Sequence, residues 1–215
     1  MLRSWQRSLV ISLAFLASGS LALPGKPPPA FRIVPGPYVK KAPAPVGRPG
    51  PSRFFLEGLT VLVEYLEPPE RARFIESLDA DVGDPFGVAP GRPQRYYAFR
   101  VTFQNESPGD VVFQAGNVLL ITDREERQFP IDLSDMYFVA SRRGVSDPEA
   151  VINRIAPLIF NSSTQIRSGK SLSRLLIFGQ LPEKWKEFRL HFSFIQIDRE
   201  THTLSFTFHK RFLES

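Results

Sequence analysis

The chain has 215 residues with 27 Lys or Arg, 22 Asp or Glu and a net charge of +5. Seven of the basic residues and none of the acidic ones lie in residues 1–51, so residues 52–215 hold 20 basic against 22 acidic residues. The excess of positive charge therefore belongs to the N-terminal part, and the rest lacks the basic surface typical of a nucleic-acid-binding domain. The absence of cysteine excludes disulfides, thiol nucleophiles, zinc–thiolate sites and lipid attachment through cysteine.

Residues 1–22 have the three parts of a secretory signal peptide. Arg3 and Arg7 precede an apolar run from Leu9 to Ala17, and Ser20-Leu21-Ala22 is typical of a cleavage site. The apolar run is shorter than the about 20 residues that a membrane-spanning helix needs. We therefore predict export to the periplasm or outside the cell, with an uncleaved membrane anchor as the alternative.

Residues 23–51, LPGKPPPAFRIVPGPYVKKAPAPVGRPGP, predict a disordered, Pro-rich linker. The segment has few apolar residues to bury, and its prolines favour an extended polyproline conformation. Lys40, Lys41 and Arg48 could make weak contact with an anionic membrane or cell wall. A solvated spacer is the main alternative interpretation.

Residues 52–215 predict one mainly β domain. Apolar alternation or apolar runs predict strands at 54–66, 97–103, 111–121, 172–178, 188–195 and 203–208. Helical spacing of apolar residues predicts short peripheral helices at 70–78 and 148–156. About seven strands separated by turn residues, with one or two such helices, are typical of an immunoglobulin-like antiparallel β-sandwich.

The stretch Arg95–Pro130 is predicted to organise the core. Every second residue from Tyr97 to Phe103 is large and apolar, which indicates a half-buried strand with Arg100 on the wet face. Residues 105–110 are rich in residues that form turns, and Gly109 can adopt the positive φ that some turns need. We interpret the stretch as an antiparallel meander in which the strand resumes at Val111, and we expect Arg100→Ala to be near neutral.

Four blocks of this domain carry a resemblance to a known group. They are VTFQNES from Val101, NVLLITDREERQFP from Asn117, SGKSLSRLLIFGQLP from Ser168 and FRLHFSF from Phe188. Together they resemble bacterial exported immunoglobulin-like domains of the immunoprotective extracellular antigen type and their uncharacterised lipoprotein relatives. The resemblance covers residues 96–195, and the chain departs from the group in lacking a lipid-attachment cysteine. Its motifs are structural, so it implies a fold and no particular activity.

Two groups of residues are candidate metal ligands. One loop contains the three carboxylates of Asp79, Asp81 and Asp84. Oxygen ligands in a flexible loop suit calcium. The loop lacks the Gly and Glu spacing of an EF-hand, so a polar surface loop is the alternative. If the last turn centres on Glu200, His191 and His209 lie opposite each other on an exposed face, where they could share a metal or sense pH. The alternative is two solvated polar positions.

The sequence contains no motif of a nucleophile, base and orienting acid, which a hydrolase needs. It predicts a non-catalytic binding or structural module of the bacterial cell envelope, with no cofactor. The expected partner is another envelope or extracellular protein, contacted through an edge strand or through residues 79–93. The alternatives are a membrane-anchored periplasmic tether and a metal-dependent or carboxylate-based hydrolase. Trp185 is expected to cover one end of the sandwich.

Overall fold

The computed structural model describes residues 31–36, 50–78, 83–87, 95–142, 145–182 and 184–212. Its strands are β1 (Phe31–Pro35), β2 (Ser52–Leu56), β3 (Leu59–Leu66), β4 (Tyr97–Asn105), β5 (Val111–Gln114), β6 (Val118–Thr122), β7 (Arg127–Gln128), β8 (Ser163–Ile166), β9 (Lys170–Phe178), β10 (Glu187–Ile197) and β11 (Glu200–Phe212). Its helices are α1 (Pro68–Leu78), α2 (Leu133–Arg142) and α3 (Pro148–Ile155). Among these described segments, no helix has both the length and the apolarity needed to cross a membrane.

The strands form two antiparallel sheets. One sheet has the order β2-β3-β4-β9. In the other, β1 pairs with β11 and β11 with β10, and both β5 and β6 pair with β10 on its far side. The prediction of a mainly β antiparallel sandwich with short helices is therefore confirmed. More strands are present than the roughly seven expected, because several edge strands have too few residues to show a period.

Arg95–Pro130 is not one meander. β4 pairs with β3 and β9 in one sheet, whereas β5 pairs with β8 and β10 in the other. Residues 105–110 therefore carry the chain from one sheet to the other, and the hairpin interpretation is wrong. Gly109 does not have a positive φ. Instead, the Asp198 side chain occupies the space that a side chain at position 109 would need.

Aromatic side chains fill the space between the sheets. The inward residues of β4, from Tyr97 to Phe103, are buried as the alternation predicts. Phe99 lies at the centre, with its ring 5.2 Å from Phe208 and 5.6 Å from Phe188, measured between centroids. Trp185 is buried and packs edge-on against Phe31 and Tyr97, which begin β1 and β4, so the expectation that it covers one end of the sandwich is confirmed.

The helices cover the outer face of the four-stranded sheet with a second apolar cluster. Ala98 and Leu175 of the sheet are buried there together with Ile75 of α1 and Ile155 of α3. The predicted helices at 70–78 and 148–156 correspond to α1 and α3, and Asp147 caps α3 by accepting the Ala150 N–H at 2.9 Å. The face of β4 that was expected to be wet is therefore partly covered.

Arg100 lies on this covered face and forms an ion pair with the buried carboxylate of Glu64. We now expect Arg100→Ala to lower the free energy of unfolding by about 1–3 kcal/mol, because the buried Glu64 carboxylate loses a cationic partner. Urea denaturation at pH 7 measures the change, with the exposed neighbour Gln104→Ala as the control. Equal effects of the two substitutions would instead support the expectation that Arg100 faces solvent.

Part of the predicted linker belongs to the sandwich. β1 lies within residues 23–51, pairs with β11 along its whole length, and buries Ile33 in the core. An edge strand needs only one apolar side chain and one neighbour with free backbone groups, which β11 provides. The linker assignment is therefore wrong for Phe31–Pro35. The signal peptide and residues 23–30 and 37–49 of the linker lie outside the described residues and stay predictions.

Candidate functional site

The acidic loop does not offer Asp84 to a metal. Arg71 is fully buried in α1, and its Nη2 and Nε lie 2.8 and 3.0 Å from Asp84 Oδ2. Asp84 Oδ1 accepts the Phe86 backbone N–H at 3.0 Å and Arg71 Nε at 3.1 Å. Both carboxylate oxygens are thus used in holding the loop against α1. Asp79 and Asp81 lie outside the described residues, so their part of the calcium prediction stays a prediction.

The two predicted histidines are not opposite each other. His191 faces Ser205, whose hydroxyl oxygen lies 2.9 Å from Nδ1, and His209 faces Glu187. Asp198 and Arg199 form the turn between β10 and β11, and an irregularity between Phe192 and Ile195 shifts the register again. The predicted shared site of His191 and His209 is therefore wrong, because neither the turn centre nor the bulge was visible in the alternation.

His209 is buried and packs between Glu187 and Gly36. Its Nδ1 lies 3.3 Å from Glu187 Oε2, and Gly36, which follows β1, lies beside the Nε2 edge of the ring. Burial lowers the pKa of His209, and the Glu187 carboxylate opposes that change. A Cβ on Gly36 would lie only 2.6 Å from His209 Nε2, so the glycine allows this close approach. The predicted exposed position is wrong for this histidine.

An acidic cleft of about 290 Å³ lies at one end of the sandwich, between β1, the C-terminal half of β3 and the start of α1. Its apolar lining includes Ile33, Val63 and Phe208. Among the described residues, its charged lining consists of Glu64, Glu67, Glu70 and Arg32. The sequence interpretation missed this site, although three Glu at intervals of three residues across a strand end are visible in the sequence.

The start of α1 fixes two of these carboxylates. Glu67 precedes the helix, and its carbonyl oxygen accepts the Glu70 and Arg71 backbone N–H groups at 2.8 and 2.9 Å. Glu70 Oε2 in return accepts the Glu67 N–H at 3.1 Å, which is the reciprocal half of a capping box. Pro68 and Pro69 suit the first helical turn, where no backbone donor is needed. The local sequence Glu-Pro-Pro-Glu thus orders the rim of the acidic cleft.

The described lining of the acidic cleft has an excess of negative formal charge, with three carboxylates and one guanidinium. Burial, followed by the neighbouring Glu70 carboxylate, raises the pKa of Glu67 above its usual value of 4.5, and Arg32 opposes the rise. Glu64 is paired with Arg100. Arg32 is the one cationic side chain among the described residues that line the cleft. A cation that enters the cleft would stabilise the charged form of Glu67, because a nearby positive charge favours a carboxylate. The arrangement is suited to holding a positively charged group.

No protein-family model and no curated protein match the chain. Among solved structures, it is similar to the crystal structure of the yjhA protein from Bacillus subtilis. The two share 11% sequence identity and a TM-score of 0.37, over 66% of this chain and 77% of that one. A likeness this weak carries no argument about function. The resemblance to exported immunoglobulin-like domains stays a prediction.

Proposed function

We propose that the chain is an exported, non-catalytic binding module of the bacterial cell envelope that holds a basic segment of a partner protein in its acidic cleft. The observation that supports this function is a cleft whose lining combines apolar residues with the carboxylates of Glu67 and Glu70. The signal-like N-terminus supports export, and the nearly neutral charge of residues 52–215 argues against nucleic acid as the partner.

The shape of the acidic cleft favours a lysine or arginine side chain over a small inorganic cation. Such side chains have an aliphatic stem that packs on apolar surface and a charged head that remains at a polar rim. Pro35, which is partly exposed, and Ile33 beside it provide the apolar surface, and Glu67 and Glu70 provide the rim. A bare cation would gain nothing from the apolar surface.

The same carboxylates are poorly placed for hydrolysis. A carboxylate-based hydrolase needs one group as acid and a second that is available to act on water or substrate. Glu67 has the raised pKa of an acid, but Glu64 binds Arg100 and Glu70 caps α1. The cleft therefore supports binding better than it supports the hydrolase alternative.

Binding of a labelled peptide tests the site. The probe is a fluorescent peptide with two lysines separated by glycines, and its counterpart has both lysines acetylated. We expect the lysine peptide to bind the full chain at least tenfold more tightly in fluorescence anisotropy at low salt, because acetylation removes the charge. Binding should weaken as the pH falls through the raised pKa of Glu67, since protonation removes the negative charge.

Charge-neutralising variants locate the binding. Glu67→Gln and Glu70→Gln are each expected to weaken peptide binding at least threefold, and glutamine at position 70 keeps the capping contact. Glu125→Gln, an exposed change in the turn between β6 and β7, is the matched control and should have no effect. The acidic cleft is ruled out as the peptide-binding site if both peptides bind equally, or if Glu125→Gln weakens binding as much as Glu67→Gln.

Export is tested on the mature protein from envelope fractions. N-terminal sequencing is expected to give a first residue of Leu23, because the predicted cleavage follows Ala22. A first residue of Met1 in a membrane fraction would instead support the anchored periplasmic tether. A protein found in the cytoplasm with Met1 intact would overturn export altogether.

A further inference from the structure

Two hairpin turns, one from each sheet, bring three metal-ligating side chains together at the other end of the sandwich. Glu57 lies in the turn between β2 and β3, and Glu200 and His202 begin β11. One ligand atom from each residue lies within 4.8 Å of the others. His202 Nε2 is 3.7 Å from Glu57 Oε2 and 4.0 Å from Glu200 Oε2. About six residues of strand lie between Glu57 and the first cleft residue of β3, which is about 20 Å, so the two sites are distinct.

Both turns are held in place by the chain that crosses between the sheets. In the first turn, Gly58 accepts the Glu106 N–H at 2.8 Å, and Glu57 and Gly58 both have positive φ, of 47° and 84°. In the second turn, the Asp198 N–H donates to the Asp110 carbonyl at 3.3 Å. The backbones that carry the three side chains are therefore fixed before any ion arrives, which lowers the cost of binding.

The environment of His202 Nε2 indicates a site for a ligand. This nitrogen has almost no accessible surface and no hydrogen-bond partner among the residues that the structure describes. The two carboxylate oxygens lie beyond hydrogen-bonding distance. A buried polar atom in a native protein is normally paired with protein, water or an ion. A cation between the imidazole and the two carboxylates would satisfy all three groups.

We propose that Glu57, Glu200 and His202 bind one divalent transition-metal ion, with zinc as the chemically best match. Zinc bonds to imidazole nitrogen and carboxylate oxygen are about 2.0–2.2 Å, which places neighbouring ligand atoms of a tetrahedral shell about 3.4 Å apart. His202 Nε2 is now 3.7 Å from the Glu57 carboxylate and 4.0 Å from the Glu200 carboxylate. Small rotations of these two side chains, which are 54% and 74% exposed, would shorten both distances to that value. Water fills the fourth position.

The ligand set separates zinc from calcium. Calcium takes six to eight oxygen ligands and does not use imidazole, whereas imidazole suits zinc and its neighbours in the first transition series. Arg199 lines the same hollow and opposes a cation, while Asp198 beside it offsets that charge. An ion here would tie the hairpin of one sheet to the hairpin of the other and stabilise the sandwich by mass action.

Zinc binding to the purified full chain, without a histidine tag and after treatment with a chelator, tests the proposal. Competition with a chromophoric zinc indicator is expected to show one zinc per chain. His202→Asn and Glu57→Gln should each weaken binding at least tenfold, and either variant serves if the other does not fold. His191→Asn, in β10 of the same hairpin, is the matched control and should bind zinc as the unaltered chain does.

Thermal unfolding supplies the second readout. Zinc at a hundred times its dissociation constant is expected to raise Tm of the unaltered chain and of His191→Asn, but not of His202→Asn. No binding at 100 µM free zinc would overturn the site. Binding that survives both His202→Asn and Glu57→Gln, or calcium binding as tight as zinc binding, would overturn it equally.

Discussion

Phe99→Ala is expected to lower the free energy of unfolding by about 3–5 kcal/mol, the range for loss of a buried aromatic side chain. Phe99 has no exposed surface, and its ring lies between rings from both sheets. The neighbouring ring centroids are at 5.2 Å for Phe208, 5.6 Å for Phe188, 5.6 Å for Tyr65 and 5.8 Å for Phe178. Four large neighbours cannot collapse into the space without leaving a cavity.

Urea denaturation of the purified protein measures this loss. Phe55→Ala is the matched control, because it removes the same side chain from β2, where 68% of it is exposed. The control is expected to change stability by no more than about 0.5 kcal/mol. If both substitutions had the same effect, the assignment of Phe99 to the space between the sheets would be refuted.

The alternation of apolar residues predicted which side of β4 is buried but not which strands flank it. A period of two is a local property, and it is the same whether a strand continues into a hairpin or crosses to the other sheet. The crossing depends on Asn105, which is almost fully buried and donates from Nδ2 to the carbonyl oxygens of Gly109 and Ile166 at 2.9 Å each. Ile166 is 61 residues away, so no local pattern shows this contact.

Neither of the two proposed sites was predictable from spacing alone. The three glutamates around Pro68 are visible in the sequence, but the apolar surface needs Ile33, from a segment whose composition predicted a linker. The group formed by Glu57, Glu200 and His202 joins residues about 145 positions apart through the contact of two turns. His191 and His209, by contrast, looked paired in the sequence and are separated by the register of one hairpin.

The ion pair of Arg71 and Asp84 leads to the second large effect, since Asp84→Ala is expected to cost about 3–5 kcal/mol. Arg71 has no exposed surface, so without Asp84 its charge stays in the interior. The carbonyl oxygens of Phe86 and Tyr96 accept hydrogen bonds from it but carry no opposite charge. Chemical denaturation with and without millimolar calcium measures the cost. We expect the same loss in both conditions, because both Asp84 oxygens already bind Arg71.

A double substitution distinguishes a buried charge from a lost metal ligand. Arg71→Met combined with Asp84→Ala is expected to recover part of the stability that Asp84→Ala alone removes, since the second change takes away the uncompensated charge. The methionine keeps an apolar side chain beside the buried ring of Phe86, which Arg71 now covers at 5.9 Å. A calcium ligand would behave differently, because loss of Asp84 would then remove a calcium-dependent stabilisation that no change at Arg71 restores. Recovery in the double variant therefore assigns Asp84 to the fold.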